Sequence, residues 1–128
     1  MLQAVTGAAL HPGFAFLHTA QDGAAVLIWD LMEPFRTPLT EGLALFLFNA
    51  RRLRPEMFTP GRKRVEIDPA GKRALVQGYE SAVARVVNAP GRGERLAWRP
   101  MMRWQALRLA DACRDADPAR FTPYLMEA

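Results

Sequence analysis

Asp30 and Glu33 lie three residues apart in the segment 24–36, AAVLIWDLMEPFR, whose only other charged residue is Arg36. On a helix this spacing places both carboxylates on one face, about a turn apart. Such an apolar helix is expected to be mostly buried. A buried carboxylate needs a cation, a metal ion or strong hydrogen-bond donors, because an isolated charge in a core costs several kcal/mol. The two acids are therefore candidates for a functional site.

His18 precedes the two acids by a short segment and lies twelve residues before Asp30. A histidine together with two carboxylates suits a divalent ion such as Mg²⁺ or Mn²⁺ better than a structural zinc ion. His18 also fits a second interpretation, in which its ring is hydrogen-bonded to a nearby carbonyl or to Asp30. For a histidine considered alone, that second interpretation is the more frequent case.

The combined pattern of LHPGFAFLH at 10–18 and DLMEPFR at 30–36 resembles the signature of the CRISPR-associated integrase-endonuclease that inserts new spacers. In that family a leucine and a proline lead to a metal-binding histidine, and a helix with the pattern D-L-x-E-x-F-R follows. The resemblance implies that His18 and Glu33 are ligands of Mg²⁺ or Mn²⁺. It also implies that Asp30 is a neighbouring acid of the same catalytic site.

The resemblance covers the C-terminal, helical part of that enzyme. Family members also have an N-terminal β-rich domain and early helices that supply a glutamate ligand, and no residue of this sequence matches that glutamate. We therefore expect these 128 residues to be nearly inactive by themselves. Arg36, which closes the motif, would hold an acid or a phosphate, or else be an ordinary arginine at a helix end.

Positive charge is concentrated in residues 51–73, which carry a net charge of +5, while the whole chain carries +4. Such a segment is a candidate phosphate-contacting surface. The alternative is a solvated loop whose arginines balance nearby carboxylates, and composition alone favours that alternative. The basic residues are Arg51, Arg52, Arg54, Arg62, Lys63, Arg64, Lys72 and Arg73, and all but Arg54 are predicted to bind DNA.

The elements that would position these residues are predicted to be helices in a single domain, 1–128, that forms part of a larger enzyme fold. The fold class is all-α, with four or five helices and at most one small β hairpin, near Val65. Asp68 followed by Pro69 is a favourable helix start. Gln21 to Gly23 is a predicted turn. The predicted helical segments are 1–10, 24–36, 39–53, 69–87 and 100–117.

Cysteine content and hydropathy restrict the class of protein. A single cysteine, Cys113, excludes an internal disulfide and a cysteine-based zinc site within one chain. The longest fully apolar run, 24–29, is far shorter than the roughly 20 residues that span a bilayer. The sequence therefore predicts a cytoplasmic protein without membrane contact.

The predicted function is that of a metal-dependent DNA endonuclease and integrase of CRISPR spacer acquisition, acting on double-stranded or branched DNA. The alternative is a non-catalytic helical DNA-binding or interaction domain left by truncation. By resemblance, the intact enzyme acts as a homodimer bound to a small adaptation partner protein.

Overall fold

A computed structural model describes residues 1–19, 24–89 and 93–124 of the chain. The chain divides into a first unit, residues 1–36 with 85–128, and a second unit, residues 37–84. The described residues contain five α-helices and four short strands. The helices are α1 (Leu2–Gly7), α2 (Val26–Arg36), α3 (Gly42–Asn49), α4 (Pro69–Val83) and α5 (Trp98–Arg114), and the strands are β1 (Phe58–Pro60), β2 (Val65–Ile67), β3 (Val86–Asn88) and β4 (Arg95–Ala97).

The core of the first unit lies where α1, α2 and α5 meet. Val5, Leu27, Leu31 and Ala106 are buried together there. Leu27 and Leu31 are four residues apart on α2, so they occupy one face of that helix and point into the core. Burial of each leucine stabilises the fold by roughly 1.5–3 kcal/mol. This packing fixes α2, the helix that carries Asp30 and Glu33.

Two prolines change the helical pattern after the candidate site. Pro34 lies inside α2, and a π-helical turn, Thr37–Glu41, containing Pro38, follows α2 in sequence. Proline has no backbone N–H, so neither residue can donate the usual i to i−4 hydrogen bond. Helix α2 nevertheless continues through Pro34 to Arg36, and the π-helical turn begins at the next residue.

In the second unit, Leu43 and Leu47 of α3 pack with Leu53, and α4 lies against α3. A Cβ added to Gly78 of α4 would lie 2.8 Å from a methyl carbon of Leu47, so glycine permits this close approach. The α3 sequence is apolar almost all round, which predicts a central helix. Only one side of it is buried, since Leu45 and Phe46 are 65% and 57% exposed.

The predicted hairpin near Val65 is confirmed, because β1 pairs with β2 in antiparallel register. The predicted helix start is also confirmed, with Asp68 Oδ1 accepting a 2.6 Å hydrogen bond from the Gly71 N–H. Asp68 alone separates β2 from α4, so the strand leads directly into the helix.

The prediction of at most one hairpin is wrong, because β3 and β4 form a second one. The helical spacing of the sequence predicted that α4 continues to residue 87, whereas α4 ends at Val83. Val86 and Val87 are β-branched, a type favoured in strands, and they pair with Ala97 and Leu96. The count of four or five helices is confirmed, and the sheets of the described residues have two strands each.

Some predictions fall outside what the structure tests. The predicted turn at 21–23 lies outside the described residues, and the single-domain assignment of 1–128 stays a prediction. Within the described ranges, every helix is too short or too polar to cross a membrane.

Candidate active site

The Asp30 carboxylate is the centre of a hydrogen-bond cluster that joins α2 to the segment before it. Its side chain has 0% exposure. Oδ2 accepts hydrogen bonds from the Phe16 N–H at 2.7 Å and the Leu17 N–H at 3.1 Å. Oδ1 accepts from the His18 N–H at 3.1 Å and lies 2.5 Å from the His18 ring nitrogen Nδ1. One buried acid therefore holds the backbone of three residues and the orientation of an imidazole.

This environment explains how a carboxylate remains charged inside an apolar helix. Burial acts to raise the pKa of Asp30 and is the largest single influence on it. The hydrogen bonds from the Phe16 N–H, the His18 ring and the Leu17 and His18 N–H groups together outweigh burial, so the pKa lies below its ordinary value of 3.8. Asp30 is thus ionised at neutral pH, with its charge satisfied by donors of this chain.

The ionised Asp30 determines which nitrogen of His18 carries a proton. A carboxylate only accepts hydrogen bonds, so Nδ1 must be the donor. In the neutral ring the lone pair is then on Nε2, the nitrogen opposite the contact with Asp30. The His18 side chain is 41% exposed, and the ring of Trp29 lies edge-on to it with centroids 6.0 Å apart.

Glu33, one turn along α2, has a different environment. Its side chain is 39% exposed, and it lies 3.5 Å from a guanidinium nitrogen of Arg36. Among the described residues, the structure contains no group of three histidine, cysteine, aspartate or glutamate side chains placed to hold a metal ion. The structure thus brings His18 and Asp30 together, and a metal position shared by His18 and Glu33 stays a prediction.

The donor chemistry of the site suits a divalent ion in one respect. A metal-ligating histidine usually donates its other ring N–H to a carboxylate or carbonyl, which sets the tautomer and the direction of the ligating nitrogen. His18 and Asp30 have this arrangement, with Nε2 left as the ligating atom. His18 through Nε2 and Glu33 through its carboxylate stay the predicted ligands of Mg²⁺ or Mn²⁺.

The hydrogen bonds made by Asp30 show a structural contribution of this residue. The resemblance implied that Asp30 is a neighbouring acid of the metal site, which stays a prediction, and in the structure Asp30 is the buried acceptor that orders 16–18. The sequence carries one signal for this arrangement, an aspartate within an apolar helical stripe. The second interpretation of His18, a ring hydrogen-bonded to Asp30, is confirmed. The other partners are backbone N–H groups 12 to 14 residues away, which no spacing rule identifies.

The basic segment 51–73 belongs to the second unit, and its eight basic side chains are all exposed. None of the eight forms an ion pair with an acidic residue in the described parts of the chain. Asp68, one of the three acids of the segment, caps α4 through Oδ1. The solvated-loop interpretation assumed arginines balanced by nearby carboxylates, and such pairs are not seen here.

Residues 1–81 match the sequence model of the family described as CRISPR associated protein Cas1. The chain belongs to the Cas1 family. The matched residues include the histidine and the D-L-x-E helix, so the resemblance found in the sequence is confirmed. The match also covers the whole basic segment.

Comparison with individual proteins agrees with Cas1 membership. The chain is 32% identical over 126 residues to a CRISPR-associated endonuclease Cas1 of Thermus thermophilus, a match that covers 98% of this chain and 39% of that endonuclease. The chain therefore spans well under half the length of this relative. Its residues correspond to part of a Cas1 protein.

Two solved structures share the fold. A casposase bound to an integration product superposes with a TM-score of 0.80 at 20% identity, covering 98% of this chain and 37% of that chain. A Cas1 protein from Thermotoga maritima superposes with a TM-score of 0.77 at 22% identity, covering 87% and 34%. At these identities the likeness concerns the fold alone.

Proposed function

We propose that this chain supplies part of the active site of a divalent-metal-dependent DNA endonuclease and integrase of CRISPR spacer acquisition. The observation that carries the proposal is the buried Asp30 carboxylate 2.5 Å from His18 Nδ1, which leaves Nε2 as the ligating nitrogen. Membership of the Cas1 family and the exposed carboxylate of Glu33 one turn away support it. His18 and Glu33 are proposed as metal ligands, and Asp30 as the residue that positions His18.

A bound Mg²⁺ or Mn²⁺ ion would polarise the phosphate of DNA and stabilise the negative charge that develops during displacement. The residues of this chain orient the groups that would bind the ion. Asp30 keeps the proton of His18 on Nδ1 and restricts rotation of the ring through a buried hydrogen bond. Arg36, beside Glu33 at 3.5 Å, holds that carboxylate or a substrate phosphate at the same end of α2.

The basic segment is proposed to hold duplex or branched DNA by its phosphates. Arginine and lysine that neutralise phosphates release condensed counterions, which makes binding largely independent of sequence and strongly dependent on salt. The absence of ion pairs for these side chains in the described residues supports this role, because their charge is available to another polyanion.

A metal-binding test separates the proposed ligands from bystanders without relying on activity. An ion that binds only the folded state at ten times its dissociation constant should raise the free energy of unfolding by about 1.4 kcal/mol. We expect Mn²⁺ to stabilise the wild-type chain in a concentration-dependent manner, and His18→Ala or Glu33→Gln to remove this effect. Glu41→Gln, which changes another exposed glutamate, is the control and should retain it. Loss in His18→Ala but not in Glu33→Gln would exclude Glu33 as a ligand.

An activity test concerns the glutamate ligand of the family that no residue of this sequence matches. The two proposed ligands leave most of the coordination shell of Mg²⁺ or Mn²⁺ to water, so we expect little cleavage by these 128 residues alone. Adding the remaining part of a Cas1 protein, in frame or in trans, should raise Mn²⁺-dependent cleavage of branched DNA, and Glu33→Ala should abolish the gain. Robust cleavage by these residues alone, lost in His18→Ala, would show that the site is complete without a further glutamate.

A second candidate function is that of a non-catalytic DNA-binding or interaction domain. It is favoured by the missing three-ligand cluster in the described residues and by the exposed, unpaired basic segment. Under this alternative, DNA binding persists while Mn²⁺ neither stabilises the chain nor restores cleavage when the rest of the enzyme is supplied. The homodimer and the small partner protein belong to the intact enzyme and are proposed only for it.

DNA binding is tested by the triple reversal R62E/K63E/R64E. Each phosphate contact contributes about −0.9 to the slope of log K against log salt, so loss of three contacts should flatten the slope by roughly 3. Reversal of three arginines outside the segment, R108E/R114E/R120E, changes the net charge equally and is the control. If both variants have the same slope, the segment makes no specific contribution and is a solvated loop.

A further inference from the structure

We infer that the β3–β4 hairpin and the first two turns of α5 form a second DNA-backbone contact surface, with Arg85, Arg95, Arg99 and Arg103 as its cations. This inference rests on the proposed function, because it assumes that the chain binds DNA. It adds a surface in the first unit that is separate in sequence from the basic segment 51–73. We call this set of four side chains the hairpin arginine surface.

The distribution of charge along the chain identifies the surface. Residues 85–103 contain five arginines and one glutamate, a net charge of +4. The basic segment 51–73 carries +5 and the whole chain +4, so all other residues together carry −5. The net positive charge of this protein therefore comes from two stretches. A generally basic protein would show no such separation.

The register of the hairpin places the start of β3 beside the start of α5, so Arg85 and Arg99 both lie next to the paired residues Val86 and Ala97 or one residue beyond them in the chain. Val86 pairs with Ala97, and α5 begins at the next residue. The guanidinium of Arg95 donates a 3.3 Å hydrogen bond to the Val86 carbonyl, beside Arg85 in the chain. Arg95 itself pairs with Asn88, the last residue of β3, and only its side chain reaches back along the hairpin toward Val86, near the residue where α5 starts.

Helix α5 begins directly after β4 and carries two more of these arginines. Arg99 and Arg103 are four residues apart on α5, so their side chains share a face and are separated by about 6 Å along the helix axis. Two guanidinium groups one turn apart on a single face can contact the closely spaced phosphates of one DNA strand. All four arginines of the hairpin arginine surface are exposed.

The arginines at the other end of α5 show a contrasting arrangement. Arg114 lies 3.1 Å from Asp111, Arg108 lies 4.0 Å from the same carboxylate, and Arg120 pairs with Asp115. These cations are balanced by acids of the chain itself.

At the hairpin end, Arg85 and Arg103 have no acidic partner among the described residues. Glu94 is the only acid of the stretch 85–103. Glu94 and Arg99 each interact with another group of the protein. Unbalanced, exposed guanidinium groups repel one another. A polyanion with closely spaced phosphates relieves that repulsion and can accept two hydrogen bonds from each planar guanidinium. Duplex DNA is the partner that fits this chemistry within the proposed function.

The test compares charge reversals in one binding assay. The 128-residue chain is titrated against a fluorescent DNA duplex of about 30 base pairs and arbitrary sequence. The titration is repeated over a salt series from about 50 to 200 mM. R85E/R103E changes the two arginines without an acidic partner, and R108E/R114E on α5 is the control with the same change in net charge. R62E/K63E/R64E reports on the basic segment in parallel.

We expect R85E/R103E to flatten the salt slope by about 2. Wild-type affinity should then fall about tenfold more than that of R85E/R103E across this fourfold change in salt. The control R108E/R114E should keep the wild-type slope. Circular dichroism and thermal unfolding establish that each variant is folded. R85Q/R103Q removes the same contacts with a smaller perturbation, and it replaces the reversal if R85E/R103E does not fold.

The outcomes distinguish this inference from the function on which it rests. If R62E/K63E/R64E weakens binding while R85E/R103E matches its control, the hairpin arginine surface does not contact DNA and the proposed DNA binding stands. If the wild-type chain does not bind the duplex at the lowest salt, DNA binding by these residues and the hairpin arginine surface are both refuted. A reduced salt slope in R85E/R103E, with the slope of the control R108E/R114E unchanged, supports the inference and assigns a DNA contact to the first unit.

Discussion

Replacing Asp30 with asparagine preserves the size of the side chain and removes the charge that orders residues 16–18. In the wild type, the two carboxylate oxygens accept from three backbone N–H groups and the His18 ring. Asparagine offers one acceptor oxygen, and its NH₂ group would face donors. Buried N–H groups of this segment would therefore lose their partners, in a place where the side chain has 0% exposure.

The size of the effect follows from these contacts. A hydrogen bond to a charged group contributes about 1.5–3 kcal/mol, and removing one partner of a buried charged cluster costs about 3–5 kcal/mol. Because the four donors share one carboxylate, their contributions are not additive, and we expect Asp30→Asn to lower the free energy of unfolding by about 3–5 kcal/mol. With a urea m-value of about 2 kcal/mol/M, the midpoint should fall by roughly 2 M.

The assay is urea unfolding followed by circular dichroism, at neutral pH and over an acid series. The pKa of Asp30 is lowered in the folded state, so its contribution is fully present above the ordinary value of 3.8. It is lost as the pH falls through the lower folded-state pKa, because the unfolded state then binds the proton more readily. Asp30→Asn should therefore remove part of the acid sensitivity that the wild type shows as the pH falls from 3.8 to the lower folded-state pKa.

Glu33→Gln is the matched control, because it neutralises an acid on the same helix, three residues away. Its partner Arg36 is 64% exposed and its own side chain 39% exposed, so their ion pair should contribute about 0.5 kcal/mol or less. An effect of Asp30→Asn below about 1 kcal/mol would refute the reasoning. So would an unchanged acid profile, since either result means that the carboxylate does not hold the segment before α2.

Two further substitutions test the packing. Gln105 is 1% exposed, and both its amide nitrogen and its amide oxygen form hydrogen bonds with the segment 121–124. Gln105→Leu should therefore destabilise the protein by about 1–3 kcal/mol and make that segment accessible to proteolysis. Unchanged cleavage would contradict this expectation. A Cβ at Gly78 would lie 2.8 Å from buried Leu47, whereas one at Gly7 meets nothing within 4 Å. Gly78→Ala should therefore be about 1–3 kcal/mol less stable in thermal unfolding than Gly7→Ala, and equal stabilities would show that the leucine moves aside.

Local signals in the sequence predicted the elements that carry the candidate site. The apolar spacing of 24–36 identified α2, and the Asp68 cap followed by proline located the start of α4. These signals act within a few residues, so a single sequence contains all that is needed to interpret them. The motif that includes His18 and Glu33 added the family, which composition and periodicity do not reveal.

Interactions between distant residues could not be predicted in this way. The hydrogen bonds from 16–18 to Asp30 join a backbone segment to a side chain more than ten residues away. Strand β3 was assigned to α4 because Val86 falls on the helical spacing, and only its pairing with Ala97 shows that the chain is extended there. The net charge of all residues outside 51–73 also did not reveal the arginines of 85–103, because the acids elsewhere in the chain cancel them.

The spacing of Asp30 and Glu33 explains why two acids on one helix have different roles. Three residues rotate the side chain by about 300°, so Glu33 lies about 60° from Asp30 around the axis. Asp30 follows buried Val26 by four residues and falls on the buried stripe, whereas Glu33 follows Trp29, which is 45% exposed. The helix can therefore neutralise one acid internally, with donors that fix His18, and keep the other accessible at the edge. A motif with both acids on the buried stripe would need a second set of internal donors, and the accessible carboxylate that a metal ion requires would be lost.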